Sequence, residues 1–112
     1  MTYLVRRGSK FGNKRTEFQG ILYHSGKEAT YAQTLEFMQK AGQIKDWKRQ
    51  QRFSLDVNGI HICNYWADFV VTNNRGEKEV HEVKGFQTEI FRLKWKLMEA
   101  LYGEEYDLII IQ

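Results

Sequence analysis

At Gly42 the apolar residues change their spacing from three or four to two, and that switch commits the chain to a helix followed by a sheet. Before it, Tyr31, Ala32, Leu35 and Met38 recur at helical intervals behind Ser25-Gly26-Lys27-Glu28, which has the Ser-x-x-Glu form of a capping box. The spacing predicts a helix over residues 26–41, with Gly42 as its left-handed stop. After it, Phe53, Leu55 and Val57 alternate with polar residues, Asn58-Gly59 offers a type I′ hairpin turn, and Ile60 and Ile62 resume the alternation. Residues 65–72 read as a further strand, Asn73-Asn74-Arg75-Gly76 as a turn, and residues 78–84 as the next strand, closed by Gly85. Thr88 caps a second helix over residues 89–101, with Ile90, Leu97 and Leu101 expected to face a core and Gly103 marking its end. Residues 106–111 contain an uninterrupted apolar run suited to a strand buried on both faces. The expected fold is α/β (α+β) in the order α-β-β-β-α-β, a mixed sheet flanked by two helices, with the stretch after Trp47 as a candidate extension of the first strand.

A chain of 112 residues builds one core, not two, and 42% hydrophobic residues are enough to fold it without staples. We expect a single domain over residues 23–112. Residues 1–22, with Gly8, Gly12 and Gly20 among polar and basic side chains and no sustained period, read as a basic N-terminal arm. The lone Cys63 excludes an internal disulfide and a Cys-rich zinc site, so a reducing, cytoplasmic compartment is the simpler expectation. The longest purely aliphatic run, residues 108–111, falls far short of the ~18 apolar residues a membrane span needs, and no signal-peptide stretch is present, so no membrane partner is expected.

The net charge of +3 matters less than its placement. Arg6, Arg7, Lys10, Lys14 and Arg15 follow one another with no acid among them, and Lys45, Lys48, Arg49 and Arg52 stand against Asp46 alone. Both stretches could track phosphates, although a solvated tail and an ordinary polar surface produce the same pattern and charge alone favours that plainer account.

Chemistry is expected where charge is written into strands that ought to be apolar. Asp68 interrupts Tyr65-Trp66-Ala67-Asp68-Phe69-Val70-Val71, so it must face solvent or a ligand. Glu82-Val83-Lys84 puts a carboxylate and an ammonium on one face of the next strand, ~6.5 Å apart along it, with Val83 pointing into the core. If the two strands are hairpin neighbours, Asp68, Glu82 and Lys84 converge on a patch that suits a divalent ion with a cation alongside. Glu28 lies on the helix stripe that packs on the sheet and could join them; as the N3 glutamate of the capping box it has an equally good local role. For Asp68 and Glu82-x-Lys84 the competing account is a surface ion-pair lattice, and for Lys94 a snorkelling side chain.

An acid on the first helix, an acid in a strand, Glu-x-Lys in the next strand and then a basic helix resemble, in that order, the PD-(D/E)xK nuclease superfamily. Ser9-Lys10-Phe11-Gly12-Asn13-Lys14, Tyr23-His24-Ser25-Gly26-Lys27-Glu28-Ala29, Ala41-Gly42-Gln43-Ile44, Tyr65-Trp66-Ala67-Asp68-Phe69, Glu82-Val83-Lys84-Gly85 and Phe91-Arg92-Leu93-Lys94-Trp95-Lys96-Leu97 look like a small phage and prophage family within it. The resemblance covers nearly the whole chain from Ser9, and Ala67 stands where the superfamily's name has a proline. It implies a restriction-endonuclease-like fold and metal-dependent cleavage of DNA. Asp68, Glu82 and the Val83 carbonyl would hold Mg²⁺, with Mn²⁺ able to substitute. Lys84 would orient the attacking water or stabilise charge on the phosphorane, and Glu28 and Lys94 would be accessories. Lys10, Lys14, Arg15, Lys48, Arg49, Arg92, Lys94 and Lys96 would hold DNA phosphates.

Other constellations are weak. His24, His61 and His81 lack partners at metal-ligand spacing, no phosphate-binding Gly-x-x-x-x-Gly-Lys-Ser/Thr loop occurs, and Cys63 reads as a packed strand residue. Trp47, Trp66 and Trp95 could stack on bases, but at these spacings aromatics more often belong to a core; Trp47, beside Lys45, Lys48 and Arg49, is the least certain. The expected function is a Mg²⁺-dependent endonuclease acting on branched or structured DNA in phage replication or recombination, in the bacterial host cytoplasm. Cutting both strands of a junction would favour a homodimer. The alternative is a catalytically silent DNA-binding accessory module that keeps the nuclease fold.

Overall fold

Residues 17–22 alternate too briefly to announce a strand, yet Gln19-Gly20 turns them back on themselves. In the computed structural model, which describes residues 16–23 and 25–112, β1 (Thr16–Phe18) pairs antiparallel with β2 (Ile21–Tyr23) across that turn. Gln19 and Gly20 take φ values of 52° and 78°, the left-handed pair of a type I′ turn. The end of the expected irregular arm is therefore a hairpin; Lys10, Lys14 and Arg15 lie outside the described residues.

Helix α1 (Gly26–Lys40) starts where the capping serine puts it, with the Ser25 hydroxyl accepting from the Glu28 N–H at 3.1 Å. It stops in a Schellman arrangement: Gly42, at φ +77°, donates to the Gln39 carbonyl, and Gln43 donates to the Met38 carbonyl. Strands β3 (Asp46–Val57) and β4 (Ile60–Thr72) then form a long antiparallel hairpin about Asn58-Gly59. The stretch after Trp47 does extend the first strand, so Lys48 to Arg52 are strand backbone. One expectation is corrected here: the two strand segments read at residues 60–62 and 65–72 are one continuous β4, kept in register past a bulge near Asp56.

Strand β5 (Lys78–Val83) runs antiparallel to β4, helix α2 (Glu89–Tyr102) crosses over, and β6 (Tyr106–Ile111) returns parallel to β5, giving the sheet order β3-β4-β5-β6. The fold is α+β, a mixed four-stranded sheet with a helix on each face. Ala29, Ala32 and Leu35 of α1 pack with Ile44, Phe69, Val71 and Val83 on one side. Phe91, Trp95 and Met98 of α2 pack with Phe53, Leu55, Tyr65, Ala67, Val70 and Val80 on the other.

Of the three α2 residues expected to face the core, Leu97 is half-buried against it, but the stripe turned fully inward is a different one. Phe91, Trp95 and Met98 are buried, whereas Ile90 is 68% exposed and Leu101 is exposed too. Both stripes have helical spacing; the inward one carries the larger aromatic area and so gains more from burial. Strand β6 is likewise not buried on both faces. It is an edge strand whose Leu108 and Ile110 pack beneath α2 while Ile109 stays exposed.

The central hairpin contains an irregularity that positions the site. Along β4, Tyr65, Ala67 and Val70 belong to the α2-side core but Phe69 and Val71 to the α1-side core, so the two-residue alternation slips by one at Asp68. On β3 the same slip separates Trp47, packed toward α1, from Phe53 and Leu55, packed toward α2. Between them Gln50 holds φ +54°, flanked by the pairs Arg49↔Phe69 and Gln51↔Ala67. Among the described residues no helix is long and apolar enough to cross a membrane.

Candidate active site

Strands β4 and β5 pair only from Thr72↔Lys78 to Phe69↔His81. Past that point the ladder ends, and the Val83 N–H donates instead to Asp68 Oδ2 at 2.9 Å. A carboxylate thus takes the place of a backbone acceptor where the strands part, which fixes Asp68 against β5 and explains an acid in so apolar a strand. Glu82 arrives from the α2 side of β5, buried, with its Oε1 accepting a hydrogen bond from the Tyr65 hydroxyl. Glu28 arrives from the first turn of α1. It too is buried, and its Oε1 has no hydrogen-bond partner among the described residues. Its backbone serves the helix cap while its carboxylate is turned to the sheet.

The electrostatics couple Glu28 and Glu82 each to Asp68, which lies between them. Burial raises the Glu28 pKa from the usual 4.5 to about 7, and the charge of Asp68 adds to the rise against the opposing charges of Arg49 and Lys84. Glu82 is raised from 4.5 to about 8, again by burial first and by Asp68 second, with the Tyr65 hydrogen bond and Lys84 pulling the other way. The Tyr65 phenol is held well above its ordinary range by burial and by Glu82. Lys84 follows the end of β5; its backbone N–H continues the ladder to the Ile111 carbonyl and its Nζ lies 4.8 Å from the centre of the Phe91 ring. Val83 faces the α1-side core, as the Glu-x-Lys pattern requires.

Hard carboxylate oxygens, one of them buried without a hydrogen bond, are the donor set of Mg²⁺ or Mn²⁺, and crowded acids with raised pKa values are what a divalent ion relieves. Among the described residues no three His, Cys, Asp or Glu side chains stand together as a ready-made cage. Magnesium does not require one, since it is commonly held by one or two carboxylates, with water and substrate phosphate completing the shell. Asp68, Glu82 and the Val83 carbonyl are the residues that would hold it.

The remaining expected residues divide. Arg49, half-buried on β3, is close enough to act on Glu28. Lys48 is exposed on the edge strand, Arg92 and Lys96 are exposed on α2 with Lys96 4.0 Å from Glu99, and Lys94 is half-buried there. Trp95 is core, and Trp47 is half-buried and donates to Glu36 Oε1 at 3.3 Å. Trp66 is 54% exposed, directly across the ladder from Arg52.

Two partners escaped the sequence reading. Tyr65 was visible only as an apolar strand residue. His81 bridges α1 to β5, with Nδ1 2.6 Å from the Tyr31 hydroxyl and Nε2 2.8 Å from Glu79. Tyr31 sits one turn after Glu28 and His81 next to Glu82, so this bridge fixes the two acids' elements together; only the strand register could have revealed it. A cavity of about 450 Å³ lies at the opposite end of β5, lined by Glu77, Glu104, Glu105 and Asp107 among others, and its acids would repel a phosphate. A family model described as "Protein of unknown function (DUF1064)" matches residues 8–111. No curated protein and no solved structure matches the chain.

Proposed function

Since the chain belongs to the DUF1064 family, whose description names no activity, we propose its function from the site itself: a metal-dependent endonuclease that hydrolyses phosphodiester bonds in branched or structured DNA. The observation that carries this reading is buried Asp68 on β4 where its pairing with β5 ends, its charge acting on buried Glu82 of β5 and buried Glu28 of α1, with the charge of Lys84 acting on both glutamates. When bound, Mg²⁺ or Mn²⁺ would polarise the scissile phosphate and lower the pKa of the attacking water. Asp68 and Glu82, with the Val83 carbonyl, supply its ligands. Lys84 carries the positive charge that orients the water or stabilises charge growing on the phosphate, and its place over Phe91 limits how far its ammonium wanders. Glu28 positions a second water or ion. The α+β fold with its mixed four-stranded sheet is compatible with this reading, and with phage replication or recombination as the setting, the site of action is the bacterial host cytoplasm.

One observation favours the second reading, a catalytically silent DNA-binding module: the lack of a ready-made cage of three ligands among the described residues. A nuclease assay on single-stranded, duplex, flap and four-way DNA, with and without Mg²⁺, separates the two. Asp68→Asn and Glu82→Gln preserve volume and remove ligand charge, so each should abolish cleavage while circular dichroism stays unchanged. Full activity in either variant at low metal would sink the metal site.

A further inference from the structure

On the face of the β3–β4 hairpin that looks toward the α1 side, Trp66 and Arg52 are exposed among the described residues. Tyr65 and Ala67 pack into the α2-side core, so alternation turns Trp66 to the other face, where it is 54% exposed. Arg52, also exposed, is its direct cross-strand partner, on the same face. Asp68, whose charge acts on Glu28 of α1, follows Trp66 by two residues, which puts the indole ~6.5 Å from the acid along the strand. That is close to the separation of successive nucleotides in an extended strand. Arg49, which acts on Glu28, continues the positive edge. Among the described residues Trp66 belongs to neither core cluster, so its indole face is open beside the Arg52 guanidinium.

We propose that Trp66 and Arg52 form a stacking platform for an unpaired DNA base next to the scissile phosphate, so that the preferred substrate carries at least one unstacked nucleotide at the cut. The indole offers its face to any base and the guanidinium supplies charge complementarity to the adjoining phosphate, which selects unpaired structure without selecting sequence. A base locked in a duplex cannot reach the platform. This inference rests on the nuclease reading for its substrate, but it concerns binding and can be read without cleavage.

The test is equilibrium binding of a short oligothymidylate and of a blunt duplex, followed by tryptophan fluorescence with Ca²⁺ replacing Mg²⁺. Wild-type protein should show quenching by the oligothymidylate. Trp66→Ala should weaken that binding by roughly ten-fold, leave duplex binding nearly unchanged, and Trp66→Phe should restore most of the loss. Equal binding of oligothymidylate by wild type and Trp66→Ala would overturn the platform, whether or not the protein cuts DNA. An effect of Trp66→Ala on self-association in sedimentation, with none on oligonucleotide binding, would assign the indole to a protein contact and overturn it as well. Trp66-dependent binding without cleavage in Mg²⁺ would uphold the platform and remove the nuclease reading.

Discussion

Glu28 and Glu82 hold protons in the folded protein that the unfolded chain has already released, because burial and the charge of Asp68 disfavour their ionised forms. For acids raised in this way, the contribution to stability is fully present below the ordinary pKa of 4.5 and is lost as pH rises through about 7 to 8. Denaturant titrations of the metal-free protein should therefore show a fall on the order of a few kcal/mol between about pH 5 and pH 8, reduced in Glu82→Gln. Mg²⁺, which binds the ionised carboxylates, should raise the thermal midpoint more at the upper end of that window than at the lower. A stability that is flat with pH in the absence of metal would contradict the carboxylate cluster. At Lys84 the expectation is kinetic: Lys84→Ala should slow single-turnover cleavage by roughly two orders of magnitude or more and change DNA affinity little, whereas a mere phosphate contact would show the reverse. Asp68 and Glu82-x-Lys84 were legible in the sequence because charge inside apolar strands is anomalous. Tyr65, the burial of the Glu28 carboxylate and the exposure of Trp66 were not, since each depends on which strand residues lie opposite one another.

Elements whose signals are local were read correctly and those set by long-range competition were not. The Ser25 cap, the Gly42 stop and the Asn58-Gly59 turn each act within a few residues, and all three stand in the structure. Helix α2 carries two apolar stripes, and only the sheet beneath it selects Phe91, Trp95 and Met98 over Ile90 and Leu101. Thermal or denaturant unfolding should thus find Met98→Ala destabilised by about 2–5 kcal/mol and Ile90→Ala by less than about 1 kcal/mol. Similar losses in both variants would mean the inward stripe is misassigned. The slip in the central hairpin had no sequence signal, because glutamine is not a residue that announces a left-handed conformation. With Gln50 at φ +54°, Gln50→Gly should be neutral or stabilising, and Gln50→Val, β-branched in the left-handed region, should cost about 1–3 kcal/mol. If the glycine variant is the less stable of the two, the slip does not lie at Gln50.

Among the described residues, positive charge is spread over an edge strand and an outer helix, while the buried acids Glu28, Asp68 and Glu82 lie toward the end of the sheet where β4 and β5 part. Exposed Lys48, Arg52, Arg92 and Lys96 can contact phosphates without reading bases, so DNA affinity should fall steeply with salt and differ little between duplexes of one shape. Affinity that ignores salt would remove these residues from the interface. The central claim is that the acids of α1, β4 and β5 make one metal-dependent catalytic site. Its most direct measurement is single-turnover cleavage of four-way and flap DNA by wild type and Asp68→Asn across a Mg²⁺ titration. The account predicts cleavage by wild type that rises with Mg²⁺ and vanishes on chelation, and none by Asp68→Asn at any concentration although it binds the same DNA in Ca²⁺. Tight binding by wild type with no cleavage of any substrate in Mg²⁺ or Mn²⁺ would contradict it and leave the DNA-binding module in its place.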